Sequence, residues 1–300
     1  MKSKLIATVI LFFTVTSCQK SQTLTGELDV EPTKAANQKS VEALPIVCTQ
    51  IPTELKYGDA TFAFEYATGS STLTKVTISK AGTIKRVISL QYNRSLKPIR
   101  INVTDGAGVL SHYYKFTYST VIPALSKTEL YKGNGTLIGN LLTTYNANGT
   151  INKYDPPADC GQYDSDDYLR FTYKAANNFN LEQMWEVTDP YMDNQAYFFE
   201  SYDTKSGIFK HVKYIDWLCN NINERAVDGP FFIFNNQNNV LSQDFWFNDN
   251  IMYESSYSFT YDNCGYPVSG VASVQFHNTT YPENDPPAEI RNISVKYKSL

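Results

Sequence analysis

Residues that could do chemistry are thinly spread along this chain of 300 residues. The three histidines, His112, His211 and His277, stand far from one another and from any cysteine. No HExxH pair exists, so a helical zinc site of that kind is excluded. His112 alternates with Leu110 and Tyr114, the setting of a buried, hydrogen-bonded histidine rather than a metal ligand. A nucleophilic serine would call for a GxSxG elbow, and there is none. Glycoside hydrolysis needs two carboxylates about 5–10 Å apart. Glu182, Glu186 and Asp189 are available, but their spacing selects no pair. Asp155, Asp159, Asp164, Asp166 and Asp167 supply oxygens of the kind Ca²⁺ takes. Asp164, Asp166 and Asp167 are weak calcium candidates, because the EF-hand spacing is missing, and a solvated loop is the better reading. The sequence therefore predicts no catalytic residue, no metal and no cofactor.

Aromatic side chains are the stronger lead. Trp185, Trp217 and Trp246 lie in the second half among many Tyr and Phe. Exposed indole rings stack on sugar rings, and the run Asn235-Asn236-Gln237-Asn238-Asn239 could supply donors and acceptors beside them. The competing reading places these rings in a β core, where large aromatics usually go. It makes the Asn run a hairpin turn after the apolar stretch 231–234. A net charge of −4 without any Lys/Arg run argues against a nucleic-acid binder.

The elements that must position these residues begin with an export signal. Met1-Lys2-Ser3-Lys4 is basic and Leu5 to Val15 is apolar. That run is shorter than the roughly 20 residues of a membrane-spanning helix and suits a signal peptide. Val15-Thr16-Ser17-Cys18 resembles a lipobox. The resemblance implies cleavage before Cys18 and acylation of Cys18, palmitate included, in a bacterial outer-membrane lipoprotein. Several acyl chains together anchor a protein stably. Gln19 follows the cysteine where an Asp would favour inner-membrane retention; the periplasmic or surface face is left open. Residues 1–17 are thus the signal peptide, 18–45 the lipidated cysteine and a polar tether, and 46–300 the folded domain. Cys48, Cys160, Cys219 and Cys264 remain, in an oxidising compartment where disulfides form. Four cysteines allow three pairings, and spacing does not choose among them.

The domain repeats. Phe64-Glu65-Tyr66, Leu90-Gln91-Tyr92, Phe116-Thr117-Tyr118, Phe171-Thr172-Tyr173, Phe259-Thr260-Tyr261 and Val295-Lys296-Tyr297 share one pattern, and Tyr145 joins them. Tyr66, Tyr92, Tyr118, Tyr145 and Tyr173 stand 26, 26, 27 and 28 residues apart. A fixed period of this size marks a repeat architecture. Within each unit the alternation is that of strands, as in Ile84, Arg86, Ile88, Leu90, Tyr92 and in Ile99, Ile101, Val103. Turn residues fall at Lys80-Ala81-Gly82, Asp105 to Gly108 and Lys132 to Gly135. Tyr145-Asn146-Ala147-Asn148-Gly149-Thr150-Ile151 resembles the YD-type repeat, and the whole resembles Bacteroidota-type lipoproteins built of such hairpins. The resemblance implies fold, not activity.

The expected fold is all-β: a long antiparallel meander of about fifteen strands, curled as a single sheet or closed like a barrel or sandwich. Charged residues on the polar faces make a lipid-spanning barrel the poorer reading. The expected function is a non-catalytic, lipid-anchored envelope protein, a structural or binding module. Glycan binding through the Trp-rich half, with a polysaccharide partner, and a hydrolase with an unrecognised site are the alternatives. Nucleic acid is not an expected partner.

Overall fold

The computed structural model describes residues 48–118, 125–146, 150–155, 168–174, 180–187, 195–213, 215, 236–247, 250–278 and 284–300. Cys18, Cys160, Asp164, Asp166, Asp167, Asp189, Trp217 and Cys219 lie outside the described residues, as do the signal and tether.

Sixteen strands are described. They run β1 (Gln50–Tyr57), β2 (Ala60–Tyr66), β3 (Leu73–Lys80), β4 (Thr83–Tyr92), β5 (Pro98–Asp105), β6 (Leu110–Tyr118), β7 (Leu125–Lys132) and β8 (Leu137–Tyr145). They continue as β9 (Ile151–Asp155), β10 (Tyr168–Tyr173), β11 (Leu181–Val187), β12 (Gln195–Tyr202), β13 (Val240–Phe247), β14 (Asn250–Tyr261), β15 (Pro267–Phe276) and β16 (Glu289–Ser299). Each pairs antiparallel with its neighbours in sequence, and β1 pairs with β16, from Gln50 opposite Ser299 to Tyr57 opposite Ile293. The meander is thus a closed barrel with no free edge.

Alternation sets the two faces. Leu55, Phe62, Phe64, Val76, Ile78, Ile88, Leu90, Ile101 and Val103 are buried in one cluster with Phe171, Phe199, Val240 and Val295 from the rest of the ring. Strands from all round the barrel share this cluster, so it fills the inside. The intervening residues face out and are mostly polar, with ion pairs such as Lys75–Glu65 at 2.9 Å, Lys127–Glu129 at 2.7 Å and Lys296–Glu54 at 3.0 Å, interrupted by apolar and aromatic residues such as Val271, Ile290 and Trp246. Two expected core residues depart from the pattern. Ile84 sits beside the Ala81-Gly82 hairpin turn and is exposed, and Ile99 is the extra residue where β5 bulges against β4.

That bulge explains the repeat. Tyr66, Tyr92, Tyr118, Tyr145, Tyr173, Tyr202 and Tyr261 each end an even strand, and the register slips by one just before each of them. Tyr297 stands opposite Pro52 at the same kind of slip, which makes eight equivalent junctions. A bulge bends its strand and increases its local twist. At four of these junctions the tyrosine hydroxyl reaches back over its hairpin, and Tyr261 instead donates to Asp203 Oδ2. Tyr66 donates to the Pro52 carbonyl at 2.6 Å, Tyr202 to that of Leu181 at 2.6 Å, Tyr297 to that of Pro267 at 3.0 Å, and Tyr92 to that of Leu73. Burial pushes the Tyr66, Tyr202 and Tyr297 hydroxyls well above the usual tyrosine range, which keeps them protonated donors. The result is a ring of tyrosines around one end of the barrel.

Residues 203–213, which follow β12, pack at that end. Ile208, Phe209 and Val212 are buried, Phe209 meets Phe64 of β2 edge-on at 5.3 Å, and Lys213 bridges to Thr72 beside β3. The segment therefore crosses the mouth from β12 to the far wall. The Asn run holds it there. Asn236 Oδ1 accepts from the Leu181 amide at 2.8 Å, Asn238 and Asn180 bond one another twice, and Asn239 donates to Asp203 Oδ2 at 3.0 Å. Residues 236–239 thus serve as a fastening, whereas the stretch 231–234 expected to precede them as a strand is not described. Cys48 and Cys264 form a disulfide, joining the residues before β1 to the β14–β15 loop at this same end.

Candidate functional site

Two places gather polar chemistry. The first is on the outer wall of β12–β15. Strand pairing sets Phe198 opposite Asp244, Asp244 opposite Glu254, and Glu254 opposite Gln275. Neighbouring strands lie about 4.8 Å apart, so this row places two carboxylates side by side. Burial, and then the charges of Glu200 and Glu254, push the Asp244 carboxyl up to about 6. His277 lies at the rim, with Nδ1 2.8 Å from Asp285 Oδ2 and Nε2 3.5 Å from Glu254 Oε2. Its bond to Asp285 holds its pKa above the ordinary histidine value, while the Asn278 amide and His277 hold Asp285 below that of a free carboxyl. Beside the row, Trp246 is half-buried and meets Phe198 edge-on at 5.8 Å. Ala196 stands opposite both Trp185 and Trp246 in register. Although it faces out, it is 1 % exposed.

The second place is inside, on the half of the barrel away from the tyrosine ring. Gln243 of β13 is 1 % exposed, and neither its amide nitrogen nor its amide oxygen has a hydrogen-bond partner among the described residues. Ser255 of β14 stands opposite it and Tyr257 follows two residues on, both buried. The Tyr257 hydroxyl likewise has no bond of good geometry, though those of Ser255 and Tyr57 are close enough to perturb it. Arg291 of β16 lies over the Tyr57 ring, 5.5 Å from its centre, and its guanidinium grips Glu289 at 2.9 and 2.8 Å. A buried amide or hydroxyl left unbonded costs about 1–3 kcal/mol, and native interiors hold few such groups.

The remaining sequence candidates fall elsewhere. His112 faces inward beside Arg86, and burial, then the Arg86 charge, lowers its pKa to about 4. It is a neutral interior histidine, edge-on to Tyr114. His211 lies in the closing segment near Tyr266. Glu182 is exposed at the bulge where β11 begins. Among the described residues no group of three or more His, Cys, Asp or Glu could hold a metal ion. The sequence reading missed the Asp244–Glu254–His277 patch because its members meet only across strands. Gln243 and Ser255 carried no signal beyond a polar residue at an inward position of an apolar alternation.

The fold defined by these strands is an antiparallel meander barrel, and solved structures of that kind resemble it. A porin-like protein from Bacteroides uniformis matches with a TM-score of 0.52 at 13% identity, over 85% of this chain and 100% of that one. A porin-like protein from Bacteroides vulgatus matches with a TM-score of 0.42 at 12% identity, over 83% of this chain and 100% of that one. No family model and no curated protein matches the sequence. The first likeness is one of fold.

Proposed function

We propose that this chain is a non-catalytic, lipid-anchored protein of the bacterial envelope whose barrel stands in water as a structural or binding module. The observation that carries this reading is the polarity of the two faces. A barrel that spans a bilayer turns an apolar band outward; this one turns Leu, Ile, Phe and Val inward and Lys, Glu, Ser and Thr outward. Each Lys or Arg on a lipid face costs about 2–4 kcal/mol at the bilayer midplane. Lys56, Lys75, Lys115, Lys127, Lys296 and Lys298 would all meet lipid. The likeness to the porin-like protein from Bacteroides uniformis is one of fold and does not by itself support a water-filled channel. Envelope attachment then rests on Cys18, and the tyrosine-ended hairpins support the kinship with YD-type repeats. The test is membrane fractionation of Cys18→Ser. The variant should move to the soluble fraction with its barrel folded; a folded variant that stays with membranes would refute the anchor.

A second reading, glycan capture at the outer patch, is favoured by Trp246 and Phe198 lying beside Glu200, Asp244 and Glu254. Affinity electrophoresis through polysaccharide gels tests it: retardation lost in Trp246→Ala supports it, and no retardation of the native protein ends it. The hydrolase alternative has less support, since those carboxylates project the same way from adjacent strands rather than across a cleft.

A further inference from the structure

We infer that these barrels associate side to side, the basic wall around Arg100 and Lys115 of one copy seated against the acidic wall around Asp244 and Glu254 of the next. Two like-charge pairs carry the inference. On the outside of β5 and β6, Arg100 stands directly opposite Lys115. On the outside of β13 and β14, Asp244 stands directly opposite Glu254. Like charges so opposed destabilise a sheet, and a neighbouring copy of opposite sign offsets both repulsions at once. The surroundings match. Strands β5–β7 hold Arg100, Lys115, Lys127 and Lys132 against Asp105 and Glu129, whereas β12–β14 hold Glu200, Asp244 and Glu254 with no lysine or arginine. Each pair also borders an aromatic platform, and aromatic residues are enriched where proteins meet. Tyr113 and Tyr131 stack at 4.9 Å, with Arg100 3.7 Å above the first ring and Lys115 4.6 Å above the second. A cation over a ring is held in position with its charge intact. Phe198 and Trp246 flank the carboxylates. β5 and β13 lie eight strands apart in the ring of sixteen, so the two walls face opposite ways. A contact between unlike patches on opposite sides does not close on a pair and extends as a row.

The inference rests on the barrel wall standing in water, and it makes the Trp246 face an interface rather than a glycan site. Carbodiimide, which joins lysine amines to carboxylates in contact, tests it on the full-length protein in membranes of the producing cells. A ladder from dimer upward should appear, with peptides joining Lys115 or Lys127 to Asp244 or Glu254. Those groups lie on opposite sides of one barrel, so the join requires two copies. Salt of about 1 M, which screens charges beyond about 3 Å, should thin the ladder. Lys115→Glu alone and Glu254→Lys alone should each weaken it about tenfold or more, since like charges then meet across the contact. Co-expression of the two variants should restore it, because the reversed wall of one fits the reversed wall of the other, and recovery also shows that both fold. A monomer band alone, a ladder that either reversal leaves unchanged, or no recovery on co-expression overturns the inference. Failure of the underlying reading shows separately, as membrane retention of folded Cys18→Ser.

Discussion

The tyrosine ring gives a measurable stability prediction. Replacing Tyr66, Tyr92, Tyr202 or Tyr297 by Phe keeps the aromatic ring packed against the core and removes one hydroxyl. Each hydroxyl donates to a main-chain carbonyl across its own hairpin. A neutral hydrogen bond of this kind contributes about 0.5–1.5 kcal/mol net. Each variant should therefore lose about 1 kcal/mol, or about 2–4 °C of melting temperature in a domain of this size. Tyr202→Phe should lose most, because its hydroxyl also lies 3.2 Å from Asn236 Oδ1, which fastens the closing segment. The junctions carry separate bonds, so the four losses should nearly add. Their sum, about 4 kcal/mol, is a large part of the 5–15 kcal/mol by which domains are stable. Urea unfolding followed by circular dichroism would read this as a falling midpoint at constant slope. Four single variants all within about 0.3 kcal/mol of the native protein would show that packing alone holds the tyrosines, and the hydrogen-bond account would fail.

Other perturbations have defined outcomes. Cys264→Ser should destabilise the domain, by about 5 kcal/mol at most on chain-entropy grounds for a closure of 216 residues, measured by urea midpoint under oxidising conditions. Asp244→Asn should raise the melting temperature above pH 6 and do little at pH 4. The native carboxyl, with its raised pKa, favours folding only while protonated, and that advantage is lost as pH rises through about 6. His112 works in the other direction. Its folded pKa of about 4 lies below the ordinary value of 6.5, so stability should fall as pH drops between these limits. His112→Gln should flatten that part of a pH–melting curve. His277, raised by Asp285, adds stability that is full below pH 6.5 and lost as pH climbs through its folded value, so His277→Ala should matter more at pH 5.5 than at pH 8.5.

Much of the architecture was legible because strand periodicity is local. The period of about 26 residues is one hairpin, and the turns at Ala81-Gly82, Asp105–Gly108 and Lys132–Gly135 fall where turn chemistry placed them. The sequence left open whether the sheet curls or closes, since the pairing of β1 with β16 joins residues at opposite ends of the sequence through main-chain bonds that any side chain permits. Bulges also escaped notice. Ile99 reads as the start of an apolar alternation, yet a one-residue slip turns it outward. Trp246 was singled out as an aromatic, and its neighbours Phe198 and Asp244 became visible only through the register. The Asn run read as a loop of generic polarity, whereas its amides are spent fastening the segment that crosses the barrel mouth.

The disulfide at Cys48 also decides how the domain bears mechanical load. Any tension on the chain ahead of residue 48 enters through that cysteine and passes at once to Cys264, in the loop between β14 and β15. Without the crosslink the same tension would fall on Gln50 and peel β1 away from its two partners one hydrogen-bond pair at a time. With it, the traction is shared among β1, β14 and β15, and the seam between β1 and β16 is bypassed. Under a pull from that side, the barrel therefore stays zipped for as long as this sulfur bridge is intact.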